Sequence, residues 1–384
     1  MKSAHSLFSA AILAAFAVAT WPAQACAEEA PIRIRVSSKF SIALSGLTGA
    51  DLDTLRKDLA TSGAFNIVPA SEAEFTVTGT GSGELQGKVT DKAGKVVLAN
   101  TYTGAGRARM HKFANDIVET ITGRPGIAGT KIAFVANKSG HKEIYTCDLD
   151  GSNLVQLTSD HSIAVSPNLS ADGRALLYTG YQSGYADVYR VDLGSGSRSR
   201  IMKYPGTNSG AAFSPNGNSI AVTLSKDGNP ELYVTSGGGG GAHRLTRTPG
   251  VESSPTWSPD GREIIYSSDD GGSPQLYRLA AGGGTPQRLA TGASYNTEPS
   301  WSPDGKKVAF NTRSGGGFAV SVLDLEAGST RTVGEGEDPV WGADSRHLLC
   351  ASGGSLILVD TQNGTRTPIL GGLGKITEPT WARR

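Results

Sequence analysis

After residue 129, short apolar strands alternate with Gly-rich turns in a regular repeat. The turns of the SPDG type end in a Gly that recurs every 44 residues, at Gly173, Gly217, Gly261 and Gly305. Counting back 44 residues from the first reaches Gly129, and counting forward 40 residues from the last reaches Ser345 in the related letters "GADS". The pattern therefore predicts six copies of one structural unit.

Each copy carries hydrophobic residues at the same offsets from the turn. A first strand ends in a large apolar residue four positions before the turn Gly, and a second strand lies five positions after it. A third strand carries Tyr at the sixteenth position in four copies, and a fourth follows, as in "VQLT" and "HRLT". Four strands per unit of this length are typical of a β-propeller blade. The turn is structural, because Pro presets φ, Asp bonds its own backbone and Gly accepts the left-handed conformation.

The end of the chain repeats only part of the unit. The letters "EPTW" (378–381) match the first strand of a blade, whereas the copy beginning at Gly129 has no first strand. Joining the two would close the ring and remove unpaired sheet edges. We therefore predict a mainly β protein with a six-bladed propeller over residues 130–384, in which the C-terminal strand 378–382 completes blade one.

Residues 28–123 do not repeat, and their pattern predicts a small α/β domain that a linker at 124–129 joins to the propeller. Apolar residues at helical spacing predict two amphipathic helices, with Leu52, Leu55 and Leu59 in the first and Met110, Phe113, Ile117 and Ile121 in the second. Thr48 or Asp51 is a candidate N-cap of the first helix, and 62–63 is its stop. Strands are predicted at 32–36, 74–79, 83–91 and 95–102.

Residues 1–27 have the features of an export signal. Lys2 lies in the positive start, 7–19 is apolar, and small residues precede two cleavage positions. Cleavage after Ala27 predicts an exported protein. Cleavage before Cys26 with lipid attachment is the alternative, which Ala23 disfavours because a large aliphatic residue is expected there. We expect no membrane span, since no other apolar run approaches the roughly 18–20 residues that a bilayer requires.

Charge and motifs exclude several classes of function. The chain has 36 Lys and Arg against 35 Asp and Glu, so no global field points to nucleic acid or an anionic membrane. No nucleophile-elbow, zinc or phosphate-loop motif occurs, and no His pair has ligand spacing, so we expect no catalytic residue, metal or cofactor. We interpret the Gly run at 237–241 and the pair Asp269-Asp270 as turns. Cys147 and Cys350 are either buried free thiols or a disulfide.

The polar segments just before the first strands form the candidate binding surface. In a propeller they converge on one face, around one mouth of the central tunnel. The segments are 206–210, 251–254, 294–299, 336–339 and 375–379, and they are rich in Glu, Thr, Asn and Ser.

From Arg107 to the C-terminus, the chain resembles the TolB family of the Tol–Pal envelope system of Gram-negative bacteria. The resemblance rests on "HKFANDIVETITGRPGIAGTKIAFVANKSGHKEIYTCDLDGSN", on "AAFSPNGNSIAVTLSKDGNPELYV" and on "SYNTEPSWSPDGKKVAF". It implies a small α/β domain before a six-bladed propeller. It also implies a non-enzymatic periplasmic adaptor that supports outer-membrane integrity, envelope invagination at cell division and macromolecule import. We expect a monomer.

The resemblance also implies two protein partners. The tunnel-mouth loops would bind the peptidoglycan-associated lipoprotein Pal and so hold the protein peripherally at the outer membrane. By position, the Pal-facing residues are Thr207, Asn208, Gly210, Ser253, Ser254, Thr297 and Glu298. The N-terminal segment would bind TolA through Glu28, Glu29, Ile32, Arg33, Ile34 and Arg35. Other outer-membrane or peptidoglycan-associated proteins are further expected partners.

Two departures from the family pattern affect these expectations. The family has a further strand between the first strand and the first helix, where this chain has only "SSKFSIALSG", so we expect a shortened first domain. The "NTEP" loop is intact at 296–299, but the loop before blade four reads "VESSP". The alternative function is a periplasmic propeller hydrolase or a substrate-gating module. It would need a catalytic domain or a cluster of acids, and the sequence shows neither.

Overall fold

Five strands and two helices precede the repeats in the structure, a computed structural model that describes residues 39–81, 83–104 and 106–383. They are β1 (Phe40–Ser45), α1 (Gly49–Thr61), β2 (Phe65–Ile67), β3 (Phe75–Thr80), β4 (Leu85–Asp91), β5 (Val96–Tyr102) and α2 (Gly106–Thr122). The strands form one sheet in the order β2-β1-β3-β4-β5. β1 pairs in parallel with β2 and β3, whereas β3, β4 and β5 pair antiparallel.

Both helices bury the faces that the helical spacing predicts. Leu55 and Leu59 of α1 are fully buried, as are Phe113 and Ile117 of α2, and all four join one core with Ile42 of β1. The amphipathic helices are therefore confirmed. Their apolar stripes cover the sheet, because an amphipathic helix is stable only when its apolar face is packed.

The segment "SSKFSIALSG" differs from our expectation of a first domain shortened by one strand. Its residues Phe40–Ser45 form β1, which lies inside the sheet between β2 and β3. Ile42 and Ala43 are buried there, and Ile42 joins the core of the α/β segment. The expected strand at 32–36 lies outside the described residues.

Six four-stranded sheets follow, and each is one blade with its strands in radial order from the inner strand outwards. Blade one is β29 (Ile376–Trp381), β6 (Lys131–Ala136), β7 (Glu143–Asp148) and β8 (Val155–Gln156). Blade two is β9 (Ala164–Leu169), β10 (Ala175–Gly180), β11 (Asp187–Asp192) and β12 (Arg198–Met202). Blade three is β13 (Asn208–Phe213), β14 (Ser219–Leu224), β15 (Glu231–Ser236) and β16 (His243–Arg244).

The other three blades have the same plan. Blade four is β17 (Glu252–Trp257), β18 (Glu263–Ser268), β19 (Gln275–Ala280) and β20 (Gln287–Arg288). Blade five is β21 (Asn296–Trp301), β22 (Lys307–Ser314), β23 (Gly317–Asp324) and β24 (Thr330–Glu335). Blade six is β25 (Glu337–Trp341), β26 (His347–Ser352), β27 (Ser355–Asp360) and β28 (Arg366–Leu370).

The C-terminal strand closes the ring, as the sequence predicts. β29 pairs antiparallel with β6, with Ile376 opposite Ala136 and Trp381 opposite Ile132. The indole N–H of Trp381 donates to Oγ1 of Thr130 at 2.7 Å. Because the last strand is held by the second strand of the first repeat, the two ends of the propeller stabilise each other.

The SPDG turns have the structural role inferred from their residue types. In blade four, Oδ1 of Asp260 accepts from Oγ of Ser258 at 2.6 Å and from the backbone N–H of Arg262 at 3.1 Å. Gly261 has a φ of 71°, in the left-handed region. The Asp side chain is therefore used within its own turn.

The α/β segment contacts the propeller through buried charged groups. Nη2 of Arg346 donates to Oδ2 of Asp360 at 2.6 Å and to the carbonyl of Gly63, which follows α1, at 3.0 Å. The ring of His111 in α2 lies between α1 and the propeller, with Nδ1 2.7 Å from Oδ2 of Asp58 and Nε2 3.8 Å from Oδ2 of Asp150, which follows β7. These contacts fix α1 and α2 to the SPDG end of the propeller. The domain boundaries at 123 and 129 stay predictions.

Candidate functional site

The inner strands enclose a central tunnel with a cavity of about 480 Å³. Each blade contributes the same short stretch to its wall, which begins near the start of the inner strand and ends towards the SPDG turn. The stretches include Ser166–Leu169, Gly210–Phe213, Ser254–Trp257, Glu298–Ser300, Glu337–Val340 and Thr377–Trp381. A cavity of this size and form can admit side chains or a short loop of another protein.

One residue of each inner strand has a positive φ, and each of these six residues lines the tunnel. They are Ser166 (52°), Gly210 (60°), Ser254 (52°), Glu298 (50°), Asp338 (55°) and Glu378 (53°). The pairing of inner and second strand shifts register at each of them, so each is a β-bulge. Five are not Gly, and a left-handed residue with a Cβ costs about 1–3 kcal/mol. We call these six residues the bulge ring.

Three neighbouring members of the bulge ring are acidic, and backbone amides link two of them. The backbone N–H of Ser166 donates to Oε2 of Glu378 at 2.5 Å. The N–H of Glu378 donates in turn to Oδ2 of Asp338 at 2.9 Å. Each carboxylate therefore holds the bulge of the next blade. Glu298 instead accepts from Oγ of Ser254 at 2.9 Å.

The sequence shows no cluster of acids, but the ring brings three acidic residues to one side of the tunnel. The three carboxyl groups come from positions 40 residues apart, and only the ring brings them together. Among the described residues, Glu298, Asp338 and Glu378 form no salt bridge. The wall of the tunnel along blades five, six and one therefore presents uncompensated acidic groups.

The environment of the tunnel also raises the pKa values of two of these carboxyl groups. Removal from bulk water raises the pKa of Glu298 to about 8, and the charges of Asp338 and Glu378 add to the rise. The same desolvation raises the pKa of Asp338 to about 6, with Glu378 again contributing. Glu298 lines the tunnel, where the inner strands of the neighbouring blades surround it.

Basic residues lie at both ends of the tunnel. Lys142 and Lys375 contribute to its lining from loops at the end where the inner strands begin. Arg383 lies at the SPDG end, where its backbone N–H donates to the carbonyl of Ala171 and its Nη2 donates to the carbonyl of Trp301 at 3.1 Å. Because Arg383 follows blade one and Trp301 ends the inner strand of blade five, this side chain spans the SPDG end of the tunnel.

The structure divides the seven predicted Pal-facing residues into two groups. Gly210, Ser254 and Glu298 belong to the bulge ring and line the tunnel. Thr207, Ser253 and Thr297 are half-buried and lie in the strand starts or loop beside the ring, outside the lining. Asn208 is fully buried, so its side chain presents no surface.

Asn208 holds the mouth loop instead. Its Nδ2 donates to the carbonyls of Ala186 at 3.0 Å and Tyr204 at 2.9 Å, and its Oδ1 accepts from the N–H of Tyr204. The predicted TolA-facing residues, Glu28, Glu29, Ile32, Arg33, Ile34 and Arg35, lie outside the described residues.

The sequence analysis did not identify Ser166, Asp338 and Glu378 as site residues. It did include the segments of Asp338 and Glu378, 336–339 and 375–379, in the candidate binding surface. A signal was present, because five members of the ring precede a Pro and the intervals are 44, 44, 44, 40 and 40 residues. Pro donates no hydrogen bond, so it fits next to a bulge where the strand ladder is interrupted. The repeat could therefore have located the whole ring.

The other candidate features have structural roles. Cys147 and Cys350 are buried free thiols, and burial raises their pKa values to about 12 and about 11. The Gly run at 237–241 joins β15 to β16 through a tight turn, in which the N–H of Gly239 donates to the carbonyl of Ser236. Oδ1 of Asp269 accepts from the N–H of Val251 at 2.7 Å. The described part of the chain contains no group of three His, Cys, Asp or Glu side chains arranged for a metal ion.

None of the helices in the described residues is both long enough and apolar enough to cross a membrane.

Comparison with known proteins gives consistent matches over the propeller. The sequence model of the TolB beta propeller domain matches residues 118–384. The TolB homologue of Chlorobium chlorochromatii is 36% identical over 190 residues, which cover 47% of this chain and 43% of the relative. The TolB homologue of Chlorobaculum tepidum is 34% identical over 221 residues, covering 47% and 51%. The chain thus spans about half the length of these curated relatives.

A solved structure matches over more of the chain. The crystal structure of TolB from Acinetobacter baumannii is 26% identical, with a TM-score of 0.81. The match covers 90% of this chain and 97% of that chain. It therefore includes both the α/β segment and the propeller.

Proposed function

Because this chain belongs to the TolB β-propeller family, we propose that it is a non-enzymatic periplasmic adaptor of a Tol–Pal-type envelope complex. In this proposal, the tunnel mouth binds a Pal-like lipoprotein, which holds the protein at the outer membrane. The segment 28–36 binds a TolA-like protein, and an extended strand of that kind could pair with the edge of a partner's sheet. The adaptor would thereby support outer-membrane integrity, envelope invagination at division and macromolecule import.

The bulge ring is the observation that carries the Pal part of the proposal. Five residues with a Cβ adopt a strained conformation at equivalent positions, and all line the tunnel. Strain that recurs at one place in a fold is a reason to look for function there. The ring differs in residue type from blade to blade, so it presents a specific surface on a repetitive scaffold.

The charge of this surface indicates what part of a partner it fits. Glu298 and Asp338 face the tunnel from adjacent blades without a cationic partner among the described residues. A partner loop that places a Lys or Arg side chain at the mouth would compensate these carboxylates in a place where water is confined. Such a pair contributes more to specificity than to overall affinity.

Binding of purified protein to a Pal-like lipoprotein, measured by calorimetry or pull-down from envelope extract, tests this proposal. Glu298→Lys should weaken binding at least tenfold, because it places a cation where the partner is expected to place one. Glu326→Lys is the matched control, since Glu326 is an exposed residue of the same blade at the SPDG end. No binding by the unsubstituted protein, or equal loss in both variants, would refute the Pal assignment.

The TolA assignment needs its own variant. Removal of residues 28–36 should abolish binding of a TolA-like protein and leave Pal binding intact, because the inner strands of the six blades build the wall of the tunnel. If the truncated protein still binds the TolA-like partner, the N-terminal segment is not its site.

A further inference from the structure

Two carboxyl groups are buried against each other where blades three and four meet. Glu231 begins β15 of blade three, Glu252 begins β17 of blade four, and both residues are 0% exposed. Thr248 bridges their carboxyl groups, because its backbone N–H donates to Oε1 of Glu231 and its Oγ1 donates to Oε1 of Glu252, each at 2.8 Å. Since a carboxylate only accepts hydrogen bonds, the two groups can bond to each other only when one of them holds a proton.

The remaining donors satisfy one oxygen of each group. Oε1 of Glu231 accepts from Nη2 of Arg244 at 2.7 Å and from the N–H of Thr248 at 2.8 Å. Oε1 of Glu252 accepts from Oγ1 of Thr248 and from Oγ of Ser268, each at 2.8 Å. The Oε2 atoms of both glutamates are buried and have no hydrogen-bond partner. A second negative charge at this joint would therefore be uncompensated, because Arg244 neutralises only one.

The surroundings assign the proton to Glu252. Burial opposes ionisation of Glu231, but the hydrogen bonds it receives, Arg244 among them, hold its pKa below the ordinary value. Burial raises the pKa of Glu252 to about 7, and the charge of Glu231 adds to the rise. The other titratable groups around the pair are Tyr233 of β15, Tyr266 of β18, Asp227 in the turn before β15 and Asp270 in the turn after β18. All four are neutral or negative, so none stabilises a second carboxylate.

At the next contact between blades, where blade four meets blade five, two amide side chains occupy the positions of the two carboxyl groups. Gln275 and Asn296 lie 44 residues after Glu231 and Glu252, at the starts of β19 and β21. Nδ2 of Asn296 donates to Oε1 of Gln275 at 2.9 Å. An amide pair closes that joint at any pH, because it contains both donor and acceptor. The carboxyl pair closes its joint only while it holds a proton.

The pair lies directly behind the tunnel mouth. Glu252 is followed by Ser253 and by Ser254, a member of the bulge ring whose Oγ donates to Glu298. The backbone N–H of Glu252 donates to the carbonyl of Pro230, next to Glu231, so β17 begins where the two carboxyl groups meet. Repulsion between two buried carboxylates would act on this strand start first.

We propose that Glu231 and Glu252 share one proton in the native protein, and that loss of this proton at alkaline pH separates the starts of β15 and β17 and displaces Ser254. Its consequence for partner binding rests on the function proposed above. The shared proton itself is a property of the isolated protein. The tunnel mouth would thus be most ordered at acidic and neutral pH. As the pH rises, the start of β17 in blade four would become more mobile.

The double variant Glu231→Gln/Glu252→Asn tests this, because it installs the amide pair that the next joint already uses. The proton held by wild type should make its unfolding equilibrium constant rise by up to about tenfold per pH unit between pH 5 and 7. The double variant should lack this part of the pH dependence of unfolding. The control variant Glu326→Gln, at an exposed site, should show the same pH dependence as wild type. Above pH 7, the protection factors of the amides of 252–254 and 256, which are corrected for the base-catalysed rise of intrinsic exchange, should fall in wild type only. Identical pH profiles for wild type and the double variant would overturn the proposal.

A direct spectroscopic measurement keeps the test decisive if the double variant does not fold. In Glu298→Gln protein labelled with 13C-glutamate, the infrared band of a protonated glutamate should be present at pH 6 and absent at pH 9. Absence of the band at pH 6 would refute the shared proton. Binding of a Pal-like lipoprotein should weaken from pH 6 to pH 8.5 in wild type more than in the double variant. If neither protein binds at any pH, the proposed function fails and the proton measurements still decide this inference.

Discussion

Replacement of Trp381 by Ala should weaken the closure of the ring more than any comparable change inside a blade. The Trp381 side chain is 3% exposed and lies in the core shared by blades one and six. Its indole N–H donates to Thr130 at 2.7 Å, and its ring contacts the backbone of Gly342. Truncation of a buried Trp costs about 3–5 kcal/mol. Because domains are stable by about 5–15 kcal/mol, this is a large fraction of the total.

The effect of Trp381→Ala depends on which strand loses the stabilising contacts. No turn joins β29 to β6, whereas a tight turn joins each of the other five inner strands to its second strand, so β29 can separate from β6 without unfolding the other blades. Trp257→Ala is the matched control, because Trp257 is 6% exposed and its indole N–H donates to the carbonyl of Ala212 at 3.0 Å. β17, which contains Trp257, is joined to its partner β18 by the SPDG turn. The two variants should therefore lose similar global stability but differ in local opening.

Hydrogen exchange of the β29–β6 amides measures that opening. A loss of about 3–5 kcal/mol from the local closing energy corresponds to about a hundred- to a few thousand-fold faster exchange. We expect this acceleration in Trp381→Ala, and a smaller one in the inner strand of blade four in Trp257→Ala. Urea unfolding, followed by far-UV circular dichroism, gives the global free energy of unfolding of each variant. Equal acceleration in the two inner strands would refute the idea that the C-terminal strand is the weakest closure.

Three further predictions follow from buried and titratable groups. Arg346→Ala should lower the free energy of unfolding by about 3–5 kcal/mol, because it removes the arginine that pairs with the buried carboxylate of Asp360. Arg262→Ala, on an exposed pair, should cost less than about 1 kcal/mol, and urea titration measures both variants. The raised pKa of Glu298 means that its neutral form stabilises the native state below the unfolded pKa and that this stabilisation is lost as pH rises towards 8. Glu298→Gln should therefore flatten the decline of stability from pH 5 to 8, and an unchanged decline would contradict it. Cys147 and Cys350 should react with a thiol reagent at pH 8 only after denaturation, and rapid reaction of the native protein would contradict their burial.

The sequence predicted those features that depend on local geometry. The turn residues, the strand spacing and the truncated copy at Trp381 each carry their signal within a few letters, and the ring follows from their number. β1 was not expected, although "FSIALS" alternates towards the core through Ile42, because the segment was compared with a longer family pattern. A local pattern was therefore the better guide there than the family comparison.

Features that depend on the radial arrangement could not be predicted in the same way. Glu298, Asp338 and Glu378 are 40 residues apart, and their proximity exists only once the blades form a ring. Glu231 and Glu252 each begin a strand, a position where an acidic residue usually faces solvent. Only the packing of one blade on the next shows that the two carboxyl groups are buried together.

The bulge ring explains how a repetitive scaffold can carry a specific site. Residues that hold the blades together recur with little change, as the tryptophans at 257, 301, 341 and 381 do, because each fills a space of the same form between blades. A bulge residue is excluded from the strand ladder and faces the tunnel, so a change of its side chain removes no ladder bond and opens no cavity in the core. Specificity can therefore vary at positions such as Ser254 and Glu298 while the neighbouring Pro and Trp maintain the fold. The exception is a carboxylate that also accepts the amide of the next bulge, as Glu378 does, where recognition and stability depend on the same atom.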